Sequence, residues 1–219
     1  NANDIDALIF VTQTPDHFLP SNSAVVHNKL SLANNCACFD INQGCSGYIY
    51  GLWLAFSIMA SGMSKKILLL AGDTMSRAVN KKDRSCRPLF GDSGTATLVE
   101  KTSSYPETYF TLNTDGSGNE SIIIPGGGFR HHNTSENKVE YEDTDGNVKS
   151  LNNLHMNGSK VFNFAINRVP ESVSRVLNLS GLKHSDIDYY LFHQANKFVI
   201  EKIIKKLKIN EMKVPRETV

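Results

Sequence analysis

The segment Phe39-Asp40-Ile41-Asn42-Gln43-Gly44-Cys45-Ser46-Gly47 runs directly into the apolar residues 48–60. An extended stretch is followed by small residues, and apolar side chains then recur at the spacing of a helix. The sequence therefore predicts a strand, a sharp turn and a helix in succession, with Cys45 in the turn. Because the helix is apolar on nearly every side, we also expect it to lie in the interior of the protein.

Cys45 is placed where a cysteine can act as a nucleophile. Backbone N–H groups and the positive end of the helix dipole point toward a group at the start of a helix, and they favour the thiolate. Gly44 and Gly47 carry no side chains, so a bulky electrophile can approach, and the same N–H groups could hold an oxyanion. The alternative is a small buried cysteine beneath a core helix, and the local pattern favours neither.

The composition is that of an ordinary globular protein. The 219 residues include 23 Lys plus Arg and 22 Asp plus Glu, and the net charge of +1 gives no global attraction to nucleic acid or a membrane surface. No apolar run is long enough to span a bilayer. The four cysteines form no CxxC pairs of a zinc site and no dense disulfide framework, so we expect reduced thiols in the cytoplasm.

Short apolar runs alternate with helical segments along the chain. Residues 6–12 and 66–72 are predicted to be buried strands on either side of the helix 48–60, which indicates an α/β protein with a mainly parallel sheet. Residues 188–192 are a further predicted strand, and His193 follows at its carboxyl end, where open α/β sheets bind their ligands. A helix with an apolar stripe and a lysine face is predicted over 197–209.

The chain is predicted to consist of two parts. Strand character restarts over residues 105–112, which places the boundary between 1–104 and 105–219. The chain begins with Asn1 inside what reads as a connection between a helix and a strand, and it stops after a charged turn. We therefore expect a piece of a longer protein that is truncated at both ends.

Four segments, taken in order and spacing, resemble the β-ketoacyl-acyl-carrier-protein synthase III family of the thiolase superfamily. They are Asp40-Ile41-Asn42-Gln43-Gly44-Cys45-Ser46-Gly47, Leu89-Phe90-Gly91-Asp92-Ser93-Gly94, Met156-Asn157-Gly158-Ser159-Lys160-Val161-Phe162 and His193-Gln194-Ala195-Asn196. The resemblance implies a layered αβαβα sandwich of two similar halves. Residues 1–104 would hold part of the half with the nucleophilic cysteine, and 105–219 part of the half with the catalytic histidine.

The resemblance also implies a reaction. Cys45 would take an acyl group from acyl-CoA, and a malonyl thioester on an acyl carrier protein would lose CO2 and condense with it to a 3-oxoacyl product. His193 would donate a hydrogen bond to the enolate-like oxygen, and Asn196 would shape the turn around His193. The family's third catalytic residue is an Asn in a Gly-Asn-Thr-Ser segment, which does not occur in this sequence. The implied reaction uses acyl-CoA as a substrate and needs no further cofactor or metal.

Other residues gain expected roles from the same resemblance. Arg84, after Asp83, matches the arginine that packs on the adenine of CoA, although a solvated loop charge is the alternative. The lysine face that includes Lys205 and Lys206 would meet an acidic carrier protein near the mouth of the substrate tunnel, and a solvated helix face is the alternative. The family also implies a cytoplasmic homodimer.

The sequence departs from the family pattern at two places. Gln43 and Gly44 stand where many members have two alanines, and Leu19 lies near a position where an aromatic residue often lines the acyl pocket. Both departures could change which acyl group is accepted.

Three other functions compete with condensation. Gly91-Asp92-Ser93-Gly94 also resembles the nucleophile segment of chymotrypsin-like proteases, but Thr95 follows where that family has glycine and the all-β pattern is missing. An acyltransferase on the same scaffold would move the acyl group to an alcohol or amine, with His193 as general base and no decarboxylation. The third alternative is a scaffold protein without catalysis, against which the presence of both Cys45 and His193 argues.

Overall fold

A computed structural model describes residues 1–104 and 107–216. The chain forms two compact units: the first contains Asn1–Met75 and Gly91–Glu107, and the second contains Ser76–Phe90 and Thr108–Val219. The predicted boundary between 1–104 and 105–219 meets residues 105 and 106, which lie outside the described residues. The division into two thiolase-like halves stays a prediction, and the units described here differ from it because residues 76–90 belong with the second unit.

A four-stranded mixed sheet forms the centre of the first unit. Its strands are β1 (Ala7–Val11), β2 (Ala37–Ile41), β3 (Lys66–Thr74) and β4 (Asp92–Glu100), in the spatial order β2-β1-β3-β4. The first three are mutually parallel and β4 is antiparallel to β3. The two strands predicted over 6–12 and 66–72 are therefore confirmed, as is the mainly parallel sheet.

Two helices complete this unit, α1 (Asn22–Lys29) and α2 (Gly47–Ala60). Gly51 and Ala55 bring α2 close to the sheet, since a Cβ at Gly51 would lie 2.6 Å from Leu69 Cδ1. The outer side of α2 carries exposed apolar residues, among them Trp53 at 41% exposure and Phe56 at 37%. The expectation that α2 lies in the interior of the protein is wrong for this outer side, because the sheet covers only the side of α2 that carries the small residues.

Helices and short strand pairs make up the second unit. The strands are β5 (Ile122–Ile123) paired with β8 (His155–Met156), and β6 (Tyr141–Glu142) paired with β7 (Val148–Lys149); the helices are α3 (Gly158–Ser180) and α4 (Lys197–Leu207). Gly181 ends α3 with φ +72°, a conformation that glycine adopts without strain. The unit has its own apolar core, to which Tyr190, Ile200, Ile204 and Val214 belong.

Single 3₁₀ turns connect several of these elements. They lie at Ala2–Asp4, Met75–Arg77, Gly116–Gly118, Glu136–Lys138, His184–Asp186 and Glu211–Lys213. No helix among the described residues combines the length and the apolar character needed to cross a lipid bilayer.

Two sequence predictions in the second unit are wrong. Residues 188–192 are not assigned to a strand: the N–H of Tyr190 donates to the carbonyl of Lys213 at 2.8 Å, and this contact does not extend into a ladder among the described residues. Residues 107–112 are not a strand either, and the first two residues of that prediction lie outside the described part of the chain. Apolar content alone therefore does not establish a strand here, because a strand also requires a neighbouring strand to pair with.

Candidate active site

Cys45 lies in the turn between β2 and α2. Strand β2 ends at Ile41, the N–H of Gly47 donates to the carbonyl of Gly44 at 2.7 Å, and α2 begins at Gly47. The predicted succession of strand, turn and helix is confirmed. The Cys45 side chain is exposed, so the structural alternative of a cysteine buried beneath the helix does not apply.

The turn is tight because α2 starts directly against the sheet. A Cβ at Gly47 would collide with Cγ1 of Val11 on β1, a β-branched side chain with little freedom to move. Ser46 occupies the N-cap position of α2, but its side chain makes no capping hydrogen bond. The first N–H groups of α2 therefore do not donate to the side chain of Ser46, and the positive end of the helix dipole favours a negative charge close to Cys45.

The other three cysteines are poor nucleophiles. Burial raises the pKa of the Cys36 thiol to about 11, and it also raises the pKa of Cys38 and of Cys86. Cys36 and Cys86 are buried, and Cys38 is half-buried on β2. Cys45 is therefore the most accessible of the four thiols.

His193 lies in a short turn before α4, in the second unit. The N–H of Ala195 donates to the carbonyl of His193 at 3.0 Å, and the Gln194 amide donates to the carbonyls of Phe192 and Pro215 at 3.0 and 3.3 Å. The side chain of Asn196 accepts a hydrogen bond from the N–H of Val199 at 2.9 Å and so caps α4. Asn196 thus fixes the chain direction just after His193, and the turn is held at both ends.

Arg84 is an exposed loop residue. The residue before it, Asp83, is fully buried. Oδ1 of Asp83 accepts hydrogen bonds from the N–H and hydroxyl of Ser85 at 2.8 and 2.6 Å and from the N–H of Cys86 at 3.2 Å. Burial alone would raise the pKa of Asp83, but these hydrogen bonds and the charge of Lys149 outweigh it and hold the pKa below its usual value. A buried carboxylate therefore anchors the loop that carries Arg84.

Lys149 joins this loop to the hairpin formed by β6 and β7. Its ammonium lies 3.9 Å from Oδ2 of Asp83 and 3.0 Å from Oδ2 of Asp143, and its side chain is 10% exposed. Burial lowers the pKa of Lys149, but the hydrogen bond to Asp143 and the charge of Asp83 more than offset this effect and leave the pKa raised. The ammonium is thus charged and shared between two carboxylates, as a buried ion requires.

The tip of this hairpin lies against Arg84. Gly146 has φ +76°, and a Cβ there would lie 3.2 Å from Nη2 of Arg84. The sequence patterns do not single out Lys149 or Asp143. The dipeptide Asp145-Gly146 is a recognised hairpin signal and could have located the hairpin, although it could not have shown which loop the hairpin contacts.

Lys205 and Lys206 are exposed in the last turn of α4. Positive charges are favoured there by the helix dipole. Nζ of Lys206 donates to the side chain of Asn167 on α3 at 2.8 Å, and earlier on α4 the ammonium of Lys202 lies 5.0 Å from the centre of the Phe198 ring. The predicted lysine face is therefore present on the surface of the second unit, and its partner stays a prediction.

The structure distributes the predicted site residues over both units. Cys45 belongs to the first unit, while His193, Arg84, Lys205 and Lys206 all belong to the second. The rival nucleophile Ser93 is a residue of β4, in register with Asp73 on β3, and is not part of a turn. Within the described residues, no group of three or more His, Cys, Asp or Glu side chains could hold a metal ion.

Two sequence profiles match the chain. Residues 39–116 match 3-Oxoacyl-[acyl-carrier-protein (ACP)] synthase III, and residues 177–218 match the C-terminal region of the same family. A putative 3-oxoacyl-[acyl-carrier-protein] synthase 3 from Campylobacter jejuni is 39% identical over 217 residues, which are 97% of this chain and 60% of the relative. The β-ketoacyl-[acyl-carrier-protein] synthase III of Clostridium perfringens is 36% identical over 218 residues, or 99% of this chain and 62% of the relative.

Solved structures give the same result. One crystal structure of a 3-oxoacyl-(acyl-carrier-protein) synthase III superposes with a TM-score of 0.96 at 37% identity, covering 99% of this chain and 65% of that protein. The 3-oxoacyl-(acyl-carrier protein) synthase of Burkholderia xenovorans superposes with a TM-score of 0.85 at 38% identity, covering 98% and 60%. These likenesses confirm the predicted thiolase-like α/β fold.

The chain thus spans about three fifths of the length of the curated relatives it matches. Within that span the agreement in sequence and in structure extends almost from one end of the chain to the other. The chain belongs to the 3-oxoacyl-[acyl-carrier-protein] synthase III family of the thiolase superfamily.

Proposed function

We propose that this chain carries the acyl-accepting cysteine of a condensing enzyme that joins an acyl group from acyl-CoA to a malonyl group on an acyl carrier protein. The observation that carries the proposal is the position of Cys45, an exposed thiol at the uncapped start of α2, inside the segment that matches the family. The names of the relatives support the same reaction. The whole reaction is proposed here because the chain spans only part of those proteins.

The first half of the reaction needs a nucleophile and a place for negative charge. The Cys45 thiolate attacks the thioester carbonyl of acyl-CoA, the tetrahedral oxyanion is held by N–H groups near the start of α2, and the CoA thiolate leaves. Arg84 is proposed to contact the nucleotide part of CoA. Its position on an anchored loop supports this role, because a loop that is already held in place loses less conformational freedom when a ligand binds.

The second half forms the new carbon–carbon bond. The malonyl thioester loses CO2, and the electron pair left on its α-carbon attacks the carbonyl carbon of the Cys45 thioester. The 3-oxoacyl product then leaves on the carrier protein and the Cys45 thiolate is regenerated. His193 is proposed to donate a hydrogen bond to the thioester oxygen, which becomes enolate-like as CO2 departs. CoA is the leaving group of a substrate, so this chemistry requires neither a cofactor nor a metal.

The proposal extends to partners and location. The lysine face around Lys205 and Lys206 is proposed to bind the acidic surface of the carrier protein, and the enzyme is proposed to act as a homodimer in the cytoplasm. The four cysteines, all present as thiols, are compatible with a reducing compartment.

The proposal is tested by following the acyl group on the protein. We expect incubation with acetyl-CoA to add one acetyl group to the wild-type chain, detected by intact mass, and none to Cys45→Ala. Cys38→Ala is the matched control, because Cys38 is half-buried on β2 and should be dispensable. An acetyl adduct that persists in Cys45→Ala would contradict the assignment. Release of CO2 from a malonyl thioester separates condensation from acyl transfer to an alcohol or amine.

A further inference from the structure

The segment after β1 and the turn after β2 leave the sheet side by side. Strands β1 and β2 are parallel, and Val11 is paired with Ile41 at their carboxyl ends. The N–H of Thr12 donates to the carbonyl of Ile41 at 3.1 Å, which extends this pairing one step past β1. The next residue, Gln13, therefore emerges beside the turn that leads to Cys45.

A single carboxylate oxygen fixes the backbone around Gln13. Oδ1 of Asp73, on β3, accepts hydrogen bonds from the hydroxyl of Thr12 at 3.0 Å, the N–H of Gln13 at 2.7 Å, and the N–H and hydroxyl of Thr14, both at 3.0 Å. The N–H of Thr74 donates to the Thr14 hydroxyl at 2.9 Å. Gln13 is exposed, and its N–H and the two threonines that flank it are all hydrogen-bonded to Asp73.

The side chain of Gln13 occupies the space beside Gly44. A Cβ at Gly44 would lie 2.6 Å from Oε1 of Gln13, a distance that real Cβ atoms essentially never show, and 3.2 Å from its Cδ, which is tighter than most real contacts. Gly44 is not among the described glycines with positive φ, so its conformation does not require glycine. The Gln13 carboxamide occupies the space that a side chain at position 44 would take, and it lies against the residue that directly precedes Cys45.

We propose that Gln13 is a specificity-determining residue of the Cys45 site, whose carboxamide narrows the approach to the thiol and restricts it to short acyl groups. Gly44 provides the space for this carboxamide and Asp73 holds the backbone from which it extends. The acyl specificity rests on the function proposed above, whereas the narrowing of the approach to Cys45 does not. Gly44 stands where many family members have alanine. The space that the Gln13 carboxamide occupies gives a physical reason for this departure.

The narrowing is tested without any acyl donor, by comparing the rates at which Cys45 reacts with a small reagent, iodoacetamide, and a bulky one, N-phenylmaleimide. We expect Gln13→Ala to raise the ratio of the N-phenylmaleimide rate to the iodoacetamide rate by about 10-fold. This is the effect of a modest change in the size of a pocket. Gln13→Met keeps the volume of the side chain, so its ratio should stay close to that of the wild type. Asn42→Ala removes an exposed amide from the same turn and serves as the control.

Gly44→Ala provides an independent test. The new methyl group should push the flexible end of Gln13 away from the turn and raise the same ratio. Because both changes displace one carboxamide, the double variant Gln13→Ala/Gly44→Ala should react like Gln13→Ala alone, whereas independent effects would multiply. An unchanged ratio in Gln13→Ala, an equal rise in Gln13→Met, or multiplied effects in the double variant would overturn the proposal. The single variants at the exposed position 13 decide the question even if Gly44→Ala does not fold.

The specificity is tested with acyl-CoA substrates. We expect Gln13→Ala to increase the rate of acylation by octanoyl-CoA relative to acetyl-CoA by about 10-fold, measured by intact mass. If no acyl-CoA acylates the wild-type Cys45 while the reagent ratio responds as described, the proposed function fails and the role of Gln13 in narrowing the approach stands. If acetyl-CoA acylates Cys45 and neither ratio responds to Gln13→Ala, the role of Gln13 fails and the proposed function stands.

Discussion

Burial decides the chemistry of individual thiols in this chain. The low dielectric around a buried group disfavours its charged form, and a thiol reacts through its thiolate. Cys36, with a pKa of about 11, therefore carries almost no thiolate at neutral pH, and the raised pKa values of Cys38 and Cys86 act in the same direction. Cys45 differs from these three cysteines in that its side chain is exposed.

We expect iodoacetamide at pH 7 to modify Cys45 first among the four cysteines, with acyl-CoA protecting it. Modification of Cys36 should rise only as the pH approaches about 11, because the thiolate forms as the pH passes the raised pKa. Peptide mass mapping after timed quenching measures each rate. Denatured protein, in which all four thiols are accessible, provides the control, and equal rates at all four cysteines in the folded protein would contradict the prediction.

Burial also makes the ion pair between Lys149 and Asp83 important for stability. Replacing Lys149 with Met leaves the fully buried carboxylate of Asp83 without a counter-charge, so we expect the free energy of unfolding to fall by about 3 kcal/mol, the lower end for a broken buried pair. Urea denaturation measures the change.

The matched control for this substitution is Lys82→Met. The ion pair of Lys82 with Glu140 is exposed, so its loss should cost less than about 1 kcal/mol. The double variant Lys149→Met/Asp83→Asn should recover part of the loss, because the uncompensated charge is then removed. Equal costs for Lys149→Met and Lys82→Met would show that Lys149 is not a buried counter-ion.

At the scale of elements, the close packing of α2 on the sheet is what positions the Cys45 turn. The helix contacts the sheet through Gly47, Gly51 and Ala55, spaced four residues apart along one face. Small side chains let the helix axis approach the strands, and the turn before α2 is held at the carboxyl ends of β1 and β2 as a result. Larger residues here would lift the start of the helix and move Cys45.

We expect Gly51→Ala to lower the free energy of unfolding by about 1–2 kcal/mol, because the new methyl group meets Leu69 Cδ1 in a packed interior. The helix propensity of alanine would by itself act in the opposite direction. Gly158→Ala, in the first turn of α3, is the matched control: nothing lies within 4 Å of its Cβ, so it should gain up to about 1 kcal/mol. Chemical denaturation measures the change in the free energy of unfolding for both variants, which should be a decrease for Gly51→Ala and an increase for Gly158→Ala. Stabilisation by Gly51→Ala would contradict this packing.

Elements formed by local patterns were predictable from the sequence, and contacts between distant residues were not. The run 66–72 and the turn before α2 were recognisable because a strand and a helix start depend on neighbouring residues. Residues 188–192 looked like a strand because they are apolar, but apolar character does not reveal whether a pairing strand is present. The Lys149–Asp83 pair and the contact of Gln13 with Gly44 join residues far apart in the chain, so no sequence window contains both partners.

At the scale of the whole molecule, charge is local and not global. The net charge of +1 on these 219 residues cannot steer a partner from a distance, so the proposed attraction of an acidic carrier protein would have to come from a patch such as the α4 face with Lys205 and Lys206. Charge pairs at an exposed rim act mainly on the association rate and are screened by salt.

We expect the double variant Lys205→Glu/Lys206→Glu to raise KM for the malonyl carrier protein by about 10-fold at low salt, and by less at high salt. The corresponding malonyl-CoA should be used almost unchanged. Lys29→Glu/Lys65→Glu, a double charge reversal in the first unit, is the control for a general change in charge. Equal losses on both substrates would mean that the α4 lysines only solvate the helix. Steady-state kinetics at two salt concentrations measures these effects.

The division of the chain into two units also limits how this chain can exchange segments with its relatives. The polypeptide passes from the first unit to the second at residue 76, returns at residue 91 and passes over again at residue 108. A single recombination breakpoint between residues 104 and 105 would draw Asp83 from one parent and Lys149 from the other, although the two side chains share one buried ion pair. Chimaeras of this chain with its relatives should therefore inherit residues 76–90 together with the hairpin around Lys149 as a single block.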